Sequence, residues 1–243
     1  MIRIEHLNKS FSGTQILKDI SIEYLPGRCN MVIGASGSGK TVLLKTLIGL
    51  YSPDSGNIWY GDENLAAMSY DQKKRLRQRI GMLFQASALF DFATVLENIM
   101  FPMDFCTDWS FSRKRERARF CLDRVNVKDA DSKYPNELSG GMQKRVGIAR
   151  AIALNPEFLF CDEPNSGLDP YTSSLIDELI SELTREYNMT TVINTHDMNS
   201  IRSIGDNIGF ICDGRLLWQG DKDSLLSTDC QELRKFLRIG PKA

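Results

Sequence analysis

The sequence predicts an α/β fold, in which buried strands alternate with helices along a chain of 243 residues. Three observations support this prediction. A glycine-rich turn, Gly34–Thr41, stands between the strand-like run Asn30–Ile33 and the helical pattern Val42–Gly49. Two more strand-like runs, Phe158–Glu163 and Thr190–Asn194, end in charged or polar residues. Because 42% of the residues are hydrophobic and no linker interrupts the chain, residues 1–243 are predicted to form one domain.

The N-terminal part is predicted to contain antiparallel strands. An alternating strand begins at Ile2 and a second covers Leu17–Tyr24, with Asn8–Gly13 as the polar turn between them. The strand Asn57–Gly61 follows the turn that ends the first helix.

Helices dominate the predicted middle of the chain. Asp71–Arg79 is a basic run for which a solvated helix face is favoured over a phosphate or lipid-headgroup site. A strand over Ile80–Gln85 leads into Ala86–Met103, which is unusually apolar. Trp109–Leu122 is predicted to be a charged amphipathic helix capped by Ser112.

The last third returns to strands alternating with helices. One helix is predicted from Met142 to Leu154, and another begins at Asp169-Pro170. The strands Ile208–Cys212 and Leu216–Gln219 flank an Asp-Gly turn, which predicts a hairpin. An inserted helical lobe is therefore expected over residues 86–157.

Composition excludes several classes of protein. The formal net charge of −1 gives no basic field for nucleic acid, so no nucleic-acid partner is expected. The six cysteines form no C-x-x-C pair, which favours reduced thiols and the cytosol. No signal peptide is recognised at Met1–Ile4, and no apolar run approaches the ~20 residues of a membrane span.

The Gly34–Thr41 stretch fits the pattern G-x-x-x-x-G-K-[ST] of a phosphate-binding loop. Small residues let successive backbone N–H groups point inward as an anion-binding nest, and the helix N-terminus adds partial positive charge. Lys40 can then reach the β- and γ-phosphates, while the Thr41 hydroxyl can hold Mg²⁺. The residues expected to surround the nucleotide phosphates are Gly34, Ala35, Ser36, Gly37, Ser38, Gly39, Lys40, Thr41 and Val42.

Two carboxylates and a histidine follow the later strands. Asp162 suits a Mg²⁺ shell, and Glu163 suits deprotonation of a water in line with the γ-phosphate. The structural alternative for this pair is a helix cap. His196 follows the strand Thr190–Asn194, where its imidazole can also face the γ-phosphate, although a core or surface role would suit an isolated histidine better.

The order of these motifs resembles that of the ATP-binding-cassette (ABC) family over essentially the full chain. Leu138–Gln143 is similar to the family signature LSGGQ, with Met142 in place of the usual glutamine. Ser166–Asp169 resembles the D-loop. The resemblance implies a P-loop NTPase fold of the ABC ATPase type, with a RecA-like core, an antiparallel β subdomain and an inserted α-helical subdomain.

The resemblance also implies roles for individual residues. Phe11 is expected to stack on adenine. Gln85 is expected to touch Mg²⁺ and water and to couple the site to a membrane partner, and His196 to be the switch histidine. A second anion site at the signature, with Ser139, Gly140, Gly141 and Met142, is expected to close over the ATP of a partner subunit, giving a homodimer with ATP at its interface. Asp169 of the D-loop is also expected to bind the nucleotide.

Transport is the function that the sequence favours. A soluble ABC ATPase acting on ribosomes or DNA is the competing class, but such relatives generally carry tandem cassettes or coiled-coil insertions, which this sequence lacks. We therefore expect an ATPase subunit bound to a separate integral-membrane permease. The apolar stretch Ala86–Met103 is the expected docking surface, with Leu89, Phe90 and Phe92 its best candidates, although about half of its apolar residues should belong to the core.

The cargo is predicted from the residues around the Gln85 loop. Phe84–Phe90, Val95–Ile99 and Phe101-Pro102 resemble the lipid-transport branch associated with MCE proteins, the Mla-type systems, as do Met142 and Leu233–Leu237. This implies phospholipid transport in a bacterial complex with an MCE-type substrate-binding protein, and a peripheral position on the cytoplasmic face of the inner membrane. The alternative is an importer for amino acids or other small solutes, because such importers share parts of the pattern.

Overall fold

Two β-sheets and eight α-helices make up residues 1–238, the part of the chain that the computed structural model describes. The larger sheet has six strands in the order β10-β9-β3-β8-β7-β6. All neighbouring pairs in it are parallel except β9 and β10, which form the predicted hairpin. Its strands are β3 (Arg28–Ile33), β6 (Ile80–Leu83), β7 (Phe158–Asp162), β8 (Thr190–Thr195), β9 (Asn207–Cys212) and β10 (Arg215–Gly220).

The smaller sheet has four antiparallel strands in the order β2-β1-β4-β5. These are β1 (Ile2–Phe11), β2 (Thr14–Tyr24), β4 (Ser55–Tyr60) and β5 (Glu63–Asn64). The predicted turn over Asn8–Gly13 is wrong, because β1 stays paired with β2 as far as the Phe11–Thr14 pair. Only Ser12 and Gly13 turn, both with positive φ (48° and 80°), as a tight hairpin requires. The polar residues Asn8, Lys9 and Ser10 are half-buried within the sheet.

The helices are α1 (Lys40–Leu47), α2 (Tyr70–Gln78), α3 (Val95–Cys106), α4 (Phe111–Arg124), α5 (Gly140–Ala151), α6 (Pro170–Glu186), α7 (Met198–Ile204) and α8 (Gln231–Phe236). Asp169 caps α6 as predicted, by accepting from the N–H groups of Tyr171 and Thr172. The predicted cap Ser112 is wrong: Ser110, in extended conformation, accepts from the Arg113 N–H. Helices α7 and α8 were not predicted. Among residues 1–238, no helix is long and apolar enough to cross a bilayer.

The six-stranded sheet separates two apolar clusters. Successive side chains of a strand point to opposite faces. Phe158 and Phe160 therefore lie in the cluster shared with α1, α2 and the small sheet, while Leu159 and Cys161 lie in the cluster shared with helices α3 to α8. Helices α3, α4 and α5 pack on one another, and α5 also packs on β6.

The order of strands decides where the polar motifs meet. Strand β8 lies between β3 and β7, and all three run parallel. Their carboxyl ends therefore lie side by side at one edge of the sheet, which is where open α/β sheets bind ligands. The Gly34 loop, Asp162-Glu163 and His196 follow these three ends.

Candidate active site

The loop after β3 is shaped for close packing. A Cβ at Gly34 would lie 2.2 Å from the Ile211 carbonyl oxygen, so the backbone could not pass there with a side chain. Gly39, with φ 108°, adopts a conformation that L residues rarely take, directly before α1 begins. The loop therefore requires glycine at both positions for steric reasons.

Lys40 folds back into this loop. Its ammonium donates to the carbonyl oxygens of Gly34 (2.8 Å) and Ala35 (3.0 Å). Burial lowers the pKa of Lys40, and the nearby carboxylates of Glu163 and Asp162 oppose that shift. The result is a partly desolvated cation at the start of a helix, which suits an anion such as a phosphate.

Two oxygen groups that could bind a metal ion, the Thr41 hydroxyl and the Asp162 carboxylate, lie next to each other, at the start of α1 and at the end of β7. The Thr41 hydroxyl donates to Oδ1 of Asp162 across 3.4 Å, and Nδ2 of Asn194 donates to the same oxygen across 3.3 Å. A hydroxyl and a carboxylate next to a phosphate loop form the donor set that Mg²⁺ takes in such sites. The residues present therefore fit a magnesium nucleotide.

Glu163 and His196 form a contact between two chain segments. Nδ1 of His196 lies 2.9 Å from Oε1 of Glu163. The Glu163 side chain is 16% exposed and the imidazole 67% exposed, so the histidine covers the carboxylate from the solvent side. Glu163 also has φ 48°, an uncommon left-handed conformation for a non-glycine residue, and its N–H donates to the Asn194 carbonyl oxygen.

Gln85 reaches the same region from β6. Its side-chain amide donates to the hydroxyl of Ser166 across 3.2 Å. The ammonium of buried Lys144, on α5, donates to the Gln85 carbonyl oxygen and lies 3.5 Å from that of Glu163. Burial lowers the pKa of Lys144. The sequence analysis missed Lys144; the only signal was a lysine on a helix face that is otherwise apolar.

Five of these residues, Lys40, Thr41, Gln85, Glu163 and His196, line one cleft of about 760 Å³. It brings together residues from the phosphate loop, the Gln85 loop and the ends of β7 and β8. The lining residues are Ala35, Ser36, Gly37, Lys40, Thr41, Gln85, Glu163, His196, Met198, Phe236, Leu237 and Arg238. Phe236 is the last residue of α8, and Leu237 and Arg238 come directly after it. The sequence did not predict that these three residues lie near the site.

Four residues of the predicted phosphate-binding set, Gly34, Ser38, Gly39 and Val42, do not line the cleft. Ser38 Oγ is buried without a hydrogen-bond partner in residues 1–238, while its N–H donates to the Ala35 carbonyl oxygen. Val42 packs on the core cluster beneath α1.

Phe11 and the signature residues do not line this cleft within residues 1–238. The Phe11 ring packs edge-on against Tyr51 at 5.0 Å, with the Lys9 ammonium 5.1 Å from its centre. The Ser139 hydroxyl accepts from the Met142 N–H and so caps α5. Nearby, a Cβ at Gly141 would lie 2.6 Å from a Thr172 methyl, which explains the glycine. The signature therefore stands apart from the phosphate loop of its own chain.

A family model described as ABC transporter matches residues 17–166. The chain belongs to the ABC transporter family. It is 36% identical over 99% of its length to the probable ribonucleotide transport ATP-binding protein mkl of Mycobacterium leprae, of which it spans 70%. It is 34% identical over 98% of its length to the methionine import ATP-binding protein MetN of Clostridioides difficile, of which it spans 74%.

Solved structures agree with this ABC assignment. A dimeric ATP-binding cassette in a post-hydrolysis state, bound to ADP and Pi, matches with a TM-score of 0.83 and 30% identity, covering 91% of this chain and 99% of that one. The cbiO1 protein of Clostridium perfringens, part of the ABC transporter complex cbiONQ, matches with a TM-score of 0.86 and 29% identity, covering 98% and 94%. The predicted ABC ATPase fold is therefore confirmed. The chain is an ATP-binding, ATP-hydrolysing subunit of an ABC transporter.

Proposed function

We propose that this ABC ATPase powers import of a small solute through a separate membrane permease. The ATPase part of this proposal is supported by the cleft that Lys40, Thr41 and the Glu163–His196 pair line, with Asp162 hydrogen-bonded to Thr41 beside it. The relatives named for methionine import and ribonucleotide transport favour a small solute over a lipid.

Each residue in the cleft has a proposed role. Lys40 holds the β- and γ-phosphates, while Thr41, Asp162 and Gln85 provide oxygen ligands for Mg²⁺. When bound, Mg²⁺ neutralises phosphate charge. Glu163 accepts the proton of the attacking water, and its 2.9 Å contact with His196 fixes the direction of the carboxylate. Outside the cleft, Phe11 holds adenine at the end of β1.

The active unit is a homodimer in this proposal. The α5 N-terminus, with Ser139–Met142, lies outside the cleft of its own chain, so each phosphate loop needs a signature from a second copy. Helix N-terminal N–H groups bind phosphate well. Asp169 and the turn before it lie beside this signature, where Gly140 approaches Leu168.

The permease is proposed to dock on an aromatic groove beside the Gln85 loop. The groove has a volume of about 350 Å³ and is lined by Phe84, Phe90, Phe101 and Pro102, among others. Phe92 adjoins it, 83% exposed, with its ring 5.5 Å from that of Phe90. Exposed apolar patches of this kind are typical of protein interfaces.

The rest of the apolar stretch belongs to the core. Val95, Ile99 and Met103 are fully buried, and Leu89 packs against the same core cluster. Leu89 is therefore a weaker docking candidate than Phe90 and Phe92. The helical lobe predicted over residues 86–157 would present this groove to the membrane from the cytoplasmic side.

Phospholipid transport is the second candidate. It rests on the resemblance of Phe84–Phe90 and Val95–Ile99 to the Mla-type branch, and an MCE-type binding protein would be expected only in this case. Both candidates share the same cleft chemistry, because an ATPase subunit does not touch the cargo.

Cargo is tested by transport. The chain would be co-purified with its membrane permease, and the complex would be reconstituted in liposomes. ATP-dependent uptake of labelled methionine and of a ribonucleoside would be compared with movement of a fluorescent phospholipid. Uptake of a small solute, abolished by Glu163→Gln, is the expected result. ATP-dependent phospholipid movement without solute uptake would overturn the importer proposal in favour of the second candidate.

A further inference from the structure

A buried polar cluster lies behind the Glu163–His196 pair. We call Asn165, Asp177 and Ser200 the Asn165 cluster. Nδ2 of Asn165 donates both to Oδ1 of Asp177 (2.8 Å) and to the hydroxyl of Ser200 (2.9 Å). The three residues are 8%, 3% and 0% exposed. None of them lines the nucleotide cleft as described over residues 1–238, so contact with ATP does not explain them.

The cluster joins the two segments that carry the catalytic pair. Asn165 follows Glu163 by two positions, in a turn closed by the hydrogen bond from the Ser166 N–H to the Glu163 carbonyl oxygen. Ser200 lies four positions after His196, on helix α7, whose N-terminal cap is Asp197. The last ladder pair of β7 and β8 is Asp162–Asn194, and the hydrogen bond from the Glu163 N–H to the Asn194 carbonyl oxygen is the backbone contact that follows it. Beyond the strand ends, Asn165 provides a side-chain link from one segment to the other.

Asp177 anchors this link to helix α6. Burial raises the pKa of Asp177 to about 6, while hydrogen bonds from Ser200 and Asn165 lower it in part. The cluster also leaves Oδ1 of Asn165 buried without a partner in residues 1–238. A buried carboxylate and an unpaired amide oxygen both destabilise a fold, so apolar side chains of similar volume would serve stability better.

Glu163 needs support of this kind. Its φ of 48° is sparsely populated for a non-glycine residue. Such conformations persist only where the surrounding structure holds them. A shift of the turn that contains Asn165 would rotate the Glu163 carboxylate away from His196.

We propose that the Asn165 cluster positions Glu163 against His196 and thereby sets the rate of ATP hydrolysis without touching the nucleotide. Asn165, Asp177 and Ser200 are positioning residues in this proposal. It rests on the proposed role of Glu163 as the base, and it is independent of the cargo.

Exchanging the two side chains provides the test. Asn165→Asp places two carboxylates together and removes both N–H donors. The double variant Asn165→Asp/Asp177→Asn restores one amide, one carboxylate and the hydroxyl in reversed order. We expect Asn165→Asp to lower kcat by about tenfold or more, with KM for ATP within about twofold, because misplacement of a catalytic group affects the chemical step. The double variant should regain most of the lost kcat.

Two results would overturn the proposal. One is a parental kcat in Asn165→Asp. The other is a double variant that melts like the parent but stays as slow as Asn165→Asp, since the position of the charge, and not the paired bonds, would then control the rate. The first result, if accompanied by a changed melting temperature, would mean that the cluster is purely structural.

Matched controls separate this proposal from the one on which it rests. Ser200→Ala removes the cluster hydroxyl and should lower kcat, whereas Asn199→Ala, on the exposed side of the same helix, should not. Glu163→Gln is measured in parallel on the full-length chain. If it hydrolyses ATP at the parental rate, the role of Glu163 is wrong; if it is inactive while the exchange fails to rescue, only the positioning proposal is wrong.

Discussion

The carboxylate of Glu163 and the imidazole of His196 lie 2.9 Å apart, although 33 positions separate them in the sequence. Each residue follows the end of one of two adjacent parallel strands, β7 and β8. The contact is therefore a product of strand order. It places the Glu163 carboxylate, the proposed acceptor of a water proton, next to an imidazole that can hold its direction.

Two substitutions in the cleft should affect ATP hydrolysis and ATP binding separately. Glu163→Gln should bind ATP but turn it over at least about a hundredfold more slowly, because the amide cannot accept the water proton. Lys40→Ala should lose ATP binding, because it removes the cation held at the loop. Equilibrium binding of a fluorescent ATP analogue and a phosphate-release assay measure the two effects. Parental turnover in Glu163→Gln would exclude the residue as base.

Two substitutions of Gly140 should distinguish packing within one chain from contact between two copies in a dimer. A Cβ there would lie 3.5 Å from Leu168, an ordinary contact, so Gly140→Ala should fold with a parental melting temperature. Gly140→Asp should also fold, yet abolish hydrolysis by placing a carboxylate against the phosphates of the second copy. Light scattering on the Glu163→Gln background, with and without ATP, should show a dimer that Gly140→Asp prevents. An ATP-dependent dimer of Gly140→Asp would contradict the proposed interface.

Docking on the aromatic groove should depend on Phe92. Because this ring is 83% exposed, Phe92→Asp should leave the melting temperature and ATP affinity unchanged while it weakens recovery of the permease complex. Tyr70→Asp is the matched control, since Tyr70 is 77% exposed on α2 and does not line the groove. Phe90→Asp should lose both docking and stability, because its ring packs 4.5 Å from Phe101. Undiminished complex recovery with Phe92→Asp would remove Phe92 from the interface.

Asp177 should make stability fall as the pH rises. Its pKa is raised from 3.8 to about 6 on folding, so between these values the folded state binds more proton than the unfolded state. The free energy of unfolding should therefore decrease across this window, by at most about 3 kcal/mol, and remain lower above it. Asp177→Asn lacks this decrease.

The measurement is the difference between the melting temperatures of parent and Asp177→Asn from about pH 4 to pH 7. Taking the difference removes the titration of all other carboxylates. The melting temperature of the parent should fall relative to that of Asp177→Asn as the pH rises. A constant difference would mean that Asp177 titrates normally.

Local patterns were sufficient to predict most elements and to select the candidate site residues. Apolar runs ending in polar residues predicted β3, β7 and β8, and therefore the edge where Lys40, Asp162, Glu163 and His196 meet. The sequence failed to predict the correct cap of α4, where two nearby serines are both suitable. Ser110 and Ser112 both suit a cap, and only the extended backbone at Ser110 decides between them. The role of each site residue stays a prediction for the tests above.

The sequence by itself determined the chemistry of this protein: a phosphate loop, two carboxylates and a histidine, each at the end of a strand whose apolar side chains bury it. Only the tertiary structure decided which side chains act together. Asn165, Asp177 and Ser200 belong to three separate segments, and no local pattern links them. Their meeting depends on how α6 and α7 pack on each other, because burial by long-range packing, unlike periodicity, leaves no mark in the neighbouring sequence.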